Sequence, residues 1–163
     1  MGLRADSAVI DGALRCGTFY PPSECIPNSA VQTGANIDAD KLEHAIEKTW
    51  QQDGSASSKT VVLHVVTGAT ARNLVVKAGS ITAAIGDSTV TINVKKNGSS
   101  IMTGGTAMTL DSGNSAYVPE DASLSSTTGV EDDVYTATIV ASAGTGTLPT
   151  GLYINLSIYE PAA

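Results

Sequence analysis

The residues that could carry out acid–base or metal chemistry are few and isolated. The two histidines are His44 and His64. Neither has a second histidine or a cysteine at metal-ligand spacing, and no Gly-x-Ser-x-Gly motif marks a nucleophile. His64 lies in the apolar run 61–66, and we interpret it as a strand residue at a sheet face or an interface. We therefore predict no catalytic residue, no cofactor and no metal site, and we do not expect an enzyme.

The cysteines and the glycine-rich segments do not change that prediction. Cys16 and Cys25 are separated by eight residues, which is neither a redox motif nor a zinc motif. A disulfide formed after release into an oxidising medium and two free thiols both fit this spacing, and the lack of a signal sequence favours thiols. The segments 103–106 and 143–147 lack the lysine of a phosphate-binding loop, so they indicate loops between strands.

Composition and charge exclude several classes of protein. Charged residues make up 15% of the 163 residues, against a typical value of about 25%. The net charge is −7 with only nine lysines and arginines, which argues against a nucleic-acid partner. No apolar run approaches the length of about 20 residues that spans a membrane, and residues 1–17 do not form a signal sequence. We expect synthesis in a cytoplasm and no membrane partner.

The chain is expected to divide near residue 58. The segment 1–37 contains a Tyr-Pro-Pro sequence at 20–22 that is stiff and extended, and we interpret it as an arm that lies over a partner surface. A short amphipathic helix is predicted over 40–54, with Asp40 as its cap and Leu42, Ile46 and Trp50 on its apolar stripe. The predicted N-terminal region is therefore 1–58, an arm followed by one short helix.

Residues 59–163 have the pattern of a β-domain. Asn97-Gly98 is a strong hairpin signal. The segment 152–159 alternates between aliphatic residues at even positions and polar residues or tyrosine at odd ones. About eight short antiparallel strands are expected. The predicted fold is all-β, a jelly-roll-like antiparallel β-sandwich. An immunoglobulin-like sandwich is the second choice, although the Cys-Trp-Cys pattern is missing.

The outward strand positions are typical of a protein interface. They are rich in threonine, serine, asparagine and tyrosine, and poor in the lysine and glutamate that usually protect a sheet from association. Interfaces favour tyrosine and disfavour lysine and glutamate. We predict contacts with a partner protein from the arm, the helix and the last strand. The candidate interface residues are Leu14, Phe19, Tyr20, Trp50, Tyr153 and Tyr159.

Three segments, 12–22, 41–44 and 143–152, resemble small structural proteins that are encoded beside the major capsid protein in tailed phages and prophages. The chain is thus similar to capsid decoration, or cement, proteins. The resemblance implies a homotrimer bound to the major capsid protein on the outside of the phage head, where it stabilises the shell. It implies a virion location on the capsid surface, and the family has no catalytic residues to carry over.

Two other functions remain open from the sequence. The first is a tail-fibre or receptor-binding module of lectin-like jelly-roll type, although the aromatic content of 4% is low for a sugar-binding platform. The second is a hydrolase that uses His64, for which the sequence supplies no positioned acid or base.

Overall fold

The computed structural model describes residues 43–161. These residues form ten β-strands and a short 3-10 turn at Thr103–Gly105. The strands are β1 Glu43–Ser55, β2 Lys59–Val65, β3 Thr70–Gly79, β4 Thr89–Lys96, β5 Ser99–Ser100, β6 Met108–Leu110, β7 Glu120–Asp121, β8 Gly129–Val130, β9 Val134–Ser142 and β10 Thr150–Pro161. No helix among them is long and apolar enough to cross a membrane.

The strands form two antiparallel sheets. The first sheet has the order β1-β10-β3-β7, and β8 also pairs with β3. The second has the order β2-β9-β4-β5, and β6 also pairs with β4. The short strands β5 and β6 share one edge position and β7 and β8 share another, which leaves four positions in each sheet. Strands β1 to β4 alternate between the two sheets, β5 and β6 stay in the sheet of β4, the chain crosses to the first sheet at β7 and β8, and β9 and β10 alternate again. The first strand, β1, pairs with the last, β10. This is the connectivity of a jelly roll, so the predicted all-β sandwich is confirmed.

The core lies between the two sheets and follows the period-two alternation of the strands. Leu152, Ile154, Leu156 and Ile158 of β10 are completely buried, as the alternation in 152–159 predicted. They face the inward residues of β4, β9 and the neighbouring strands in one continuous apolar cluster. Each buried aliphatic side chain of this size contributes roughly 1.5–3 kcal/mol to folding.

The predicted helix over 40–54 is wrong, because Glu43–Ser55 forms strand β1 and pairs with β10 along its length. Ile46 and Trp50 are four residues apart, which suits one face of a helix. Four is also an even number, so the same spacing places both side chains on one face of a strand. Both are half-buried against the core. Pairing with β10 outweighs local helix propensity, which is a weak preference, and the described part of the sandwich begins at Glu43.

The hairpin predicted at Asn97-Gly98 is confirmed. Strands β4 and β5 pair on either side of it. Asn97 has φ of 50° and Gly98 has φ of 82°, and two left-handed residues in succession are what a type I′ turn requires. The Asn97 side chain also accepts a hydrogen bond from the Val134 N–H at 2.8 Å, which ties the turn to the start of β9.

A β-bulge in β2 determines which way His64 points. Val62 pairs with Thr136 and His64 pairs with Tyr135, so two residues of β2 advance against one of β9. The extra residue is Leu63. As a result Leu63 and His64 are both buried although they are neighbours in the sequence. Bulges commonly redirect a side chain in this way, and here the bulge brings an imidazole between the two sheets.

A close backbone approach at Gly146 provides a test of the fold. A Cβ at this position would meet the carbonyl oxygen of Ile85 and lie 2.9 Å from the backbone nitrogen of Ser88. We expect Gly146→Ala to lower the free energy of unfolding by about 2–3 kcal/mol, as measured by urea denaturation. The control is Gly105→Ala, where φ is +72° but the space is open, with an expected loss of about 1 kcal/mol. Equal losses would contradict the close approach.

Candidate functional site

The outward face of the second sheet consists of small, uncharged side chains, and we call it the threonine face. It combines threonine and valine with a few other polar residues. Its members are Thr60, Val62 and Val65 on β2, Val134, Thr136, Thr138, Val140 and Ser142 on β9, Thr89, Thr91, Asn93 and Lys95 on β4, and Thr109 on β6.

Cross-strand contacts hold the threonine face together. The hydroxyl oxygens of Thr60 and Thr138 lie 3.4 Å apart, and Thr138 is in register with Asn93 of β4. Asn93 Oδ1 accepts a hydrogen bond from the Ser100 hydroxyl at 2.8 Å. These contacts form a polar row across four strands. Between such rows Val62 and Val140 are 60% and 52% exposed, so the surface alternates between methyl groups and hydroxyls.

The charge of the two outward faces differs. Among the residues described, the threonine face includes no acidic side chain and one lysine, Lys95. The outward face of the first sheet carries Glu47 on β1 and an ion pair between Lys77 Nζ and Asp121 Oδ1 at 2.9 Å. Charged groups resist burial against a partner. The threonine face is therefore the broad surface that could be covered at the lower desolvation cost.

The predicted interface residues are not brought together on the threonine face. Tyr153 and Tyr159 lie on the outward face of the first sheet. Tyr159 is 39% exposed, whereas the Tyr153 ring packs over Gly79. Trp50 lies on the inward side of β1, half-buried. The other three candidates, Leu14, Phe19 and Tyr20, lie outside the described residues.

A groove of about 320 Å³ lies between β1 and β2, and we call it the β1–β2 groove. These strands are consecutive in the chain but belong to different sheets, and each is the first strand of its sheet. The groove is the gap between these two edge strands, at the side of the sandwich where the sheets are not joined by a strand pair within residues 43–161. Its lining residues are Lys48, Thr49, Trp50, Val62, Leu63 and Leu156.

A chain of three polar side chains begins at Lys48, one of the residues that line the β1–β2 groove. Lys48 Nζ lies 2.9 Å from His64 Nδ1, and His64 Nε2 bonds Glu160 Oε1. Because an ammonium group can only donate, Nδ1 accepts from Lys48, and Nε2–H donates to the carboxylate. The other carboxylate oxygen accepts from Thr67 N, Thr67 Oγ1 and Gly68 N, each at 3.2 Å. This Lys48–His64–Glu160 chain links strands of both sheets.

The carboxylate of Glu160 remains ionised although the residue is only 2% exposed. Burial is the largest single influence, and it raises the pKa by penalising the charged form. The hydrogen bond from His64 lowers the pKa, as do the two backbone N–H donors. Together the donors outweigh burial, so the pKa of Glu160 lies below its ordinary value.

Sequence reasoning missed both Glu160 and its pairing with His64. The signal was present in the alternation of β10, because residue 160 is even-numbered like the buried aliphatic residues 152–158. A carboxylate at an inward strand position needs a buried partner. His64, the polar residue within the apolar run 61–66, was the matching partner. Among the residues described, no group of three His, Cys, Asp or Glu side chains could hold a metal ion.

Comparisons with known proteins gave distant structural likenesses. No protein-family model matches the sequence, and no curated protein sequence matches it. The acidic stable capsid structure of Helicobacter pylori bacteriophage KHP30 is similar at 8% identity and a TM-score of 0.37, covering 72% of this chain and 92% of that one. A structure of Desmodium yellow mottle tymovirus is similar at 14% identity and a TM-score of 0.37, covering 99% and 96%. Likenesses this distant assign no function.

The buried carboxylate makes the stability depend on pH. We expect Glu160→Gln to lower the free energy of unfolding at neutral pH by about 2–4 kcal/mol, because it removes a buried charge from donors that remain in place. The wild-type contribution is fully present above the ordinary pKa of 4.5 and is lost as pH falls through the lower pKa of the folded state. The variant should therefore lose less stability than the wild type on acidification.

Urea denaturation at several pH values between neutral and acid measures this effect. The matched control is Glu47→Gln, an exposed carboxylate on the other face of β1, which should change stability by less than about 0.5 kcal/mol. The role of this carboxylate would be contradicted if Glu160→Gln were as stable as the control and lost as much stability as the wild type at acidic pH.

Proposed function

We propose that this chain is a structural protein of a virion, a decoration or cement protein that forms a trimer on the outside of a phage head and stabilises the shell. The observation that carries the proposal is the threonine face, a broad β-surface without acidic side chains among the described residues, on a chain with a net charge of −7. Interface cores are depleted in charge in the same way. The resemblance of segments 12–22, 41–44 and 143–152 to decoration proteins supports it.

In this proposal the role is mechanical and no bond is made or broken. The partners are two further copies of the chain and the major capsid protein. The threonine face rests against the shell, and the arm 1–37 reaches over the capsid surface or a neighbouring subunit, with Leu14, Phe19 and Tyr20 as its anchors. Each contact is weak, but several linked contacts hold the protein by multivalency.

A charge placed on the threonine face should weaken attachment. Val140→Glu puts a carboxylate on β9, an inner strand of the second sheet, where it must be desolvated without a partner when the face is covered. We expect binding to heads assembled from the major capsid protein alone to weaken about tenfold or more. Co-sedimentation over a range of protein concentrations measures the affinity.

The control for this experiment is Val75→Glu on β3. Val75 lies on the outward face of the first sheet with similar exposure, 44% against 52% for Val140. It should bind within about twofold of the wild type, which is typical of a residue outside the contact area. If both variants bind like the wild type, the threonine face is not the attachment surface. If only Val75→Glu is weakened, the opposite face is.

Removal of residues 1–20 should leave the folding of the β-sandwich unchanged and weaken the retention of the protein on phage heads. The strands described begin at Glu43, so we expect an unchanged melting temperature and, by light scattering, a trimer with the mass of three shortened chains. Retention on heads after dilution should fall by about tenfold or more, because one of several linked contacts is lost. If the truncated and full-length chains were retained on heads equally, the arm would not contribute to attachment. A monomeric full-length chain would rule out a preformed trimer.

A further inference from the structure

The β1–β2 groove has features that the threonine face lacks, namely a positioned charge, an aromatic wall and a cavity. Leu63 and Leu156 are buried and lie at its base. Val62 on β2 is 60% exposed and Trp50 on β1 is half-buried, so these two residues form its walls. A volume of about 320 Å³ is enough for one large apolar side chain.

Lys48, which lines the groove, is held by a buried pair. His64 is 4% exposed and Glu160 is 2% exposed, and removing such groups from water is costly. Their hydrogen bonds direct the His64 lone pair toward Lys48 Nζ. An ammonium group has three N–H donors, and the bond to His64 uses one of them. The remaining two can donate to an anionic group in the groove.

A second cation lies over a wall of the same groove. Lys59 Nζ is 5.3 Å from the centroid of the Trp50 ring, which is a cation–π distance. Lys48 therefore lines the groove, and Lys59 lies over the Trp50 ring that forms one of its walls. These two cations, on a chain with a net charge of −7, indicate a ligand with an acidic group.

The other ionisable groups around the groove do not cancel this charge. The Glu160 carboxylate is already bonded to His64, Thr67 and Gly68, behind the imidazole. Glu47 lies at an odd position of β1, and odd positions face outward from the sandwich. On β9, burial raises the pKa of Tyr135 to about 12, with the nearby carboxylates adding to the effect, so this phenol stays neutral.

The edges of the groove are able to bind a backbone. Within the range 43–161, β1 pairs only with β10 and β2 pairs only with β9, which leaves one side of each strand without a strand neighbour. An extended peptide can add to such an edge through main-chain hydrogen bonds, and its alternate side chains then enter pockets. Residues two apart in an extended peptide point the same way.

We propose that the β1–β2 groove is a binding site for an extended acidic peptide segment of a partner protein. An aspartate or glutamate of the segment pairs with Lys48. A large apolar residue two positions away fills the cavity between Trp50 and Val62. This site adjoins the threonine face at Val62 and differs from it in its other lining residues, Lys48, Thr49, Trp50, Leu63 and Leu156.

Trp50 is the only tryptophan of the chain, so its fluorescence reports directly on the groove. The probe is a five-residue capped peptide of alternating threonines with aspartate at position two and phenylalanine at position four. We expect a saturable change in Trp50 emission that weakens as salt is added. The matched peptide with asparagine in place of aspartate should bind about tenfold or more weakly, because it lacks the charge-assisted bond.

Variants of the full-length protein complete the test. Lys48→Met keeps the length of the side chain and removes its charge, and it should bind the acidic peptide about tenfold more weakly. Lys95→Met on the threonine face should bind like the wild type. If Lys48→Met melts at a lower temperature, Lys59→Met gives a second measurement with the same expected direction. Equal binding of the acidic and amide peptides, or no change in Trp50 emission with either, would overturn the proposal. Peptide binding is measured on the free protein, so these experiments test the groove without depending on whether the protein attaches to phage heads.

Discussion

The pairing of β10 with β1 on one side and β3 on the other is the constraint on which most of this structure depends. The inward residues of β10 supply the centre of the core, and Glu160 on the same face completes the polar chain to His64 and Lys48. Pairing with β10 also explains why Glu43–Ser55 is extended. The β1–β2 groove follows as well, because β1 is held at the edge of one sheet directly opposite the edge strand of the other.

The parts of the fold that could be predicted from the sequence are those where a local residue pattern is compatible with a single secondary structure. The alternation of β10 and the Asn97-Gly98 turn are of this kind, and both were found. The spacing of Ile46 and Trp50 fits a helix and a strand equally, so only the long-range pairing with β10 decides between them. A composition rich in threonine indicated interface-like surfaces, but it could not assign them to a sheet. That assignment depends on strand order, which no local pattern encodes.

The polar chain was harder to predict, for a specific physical reason. His64 faces inward because the bulge at Leu63 shifts the alternation of β2 by one residue. A strict period of two starting from Leu63 would have turned the imidazole outward. Its partner is 96 positions away in the sequence. The two candidate surfaces differ in character. The threonine face is a broad surface with little charge, whereas the β1–β2 groove is a small cavity lined by a charged residue.

The pairing of the first described strand with the last has a consequence for biosynthesis. Ser55 of β1 is in register with Thr150 of β10, so the ribosome must add the intervening residues before this pair can form. At typical translation rates that interval is roughly 5–20 s. During it β1 has made none of its contacts with β10, and the Glu160 carboxylate that orients His64 has not yet been synthesised. The nascent chain therefore passes through a period in which β1 lacks its strand partner, and its backbone donors and acceptors are open to water or to another copy of the chain.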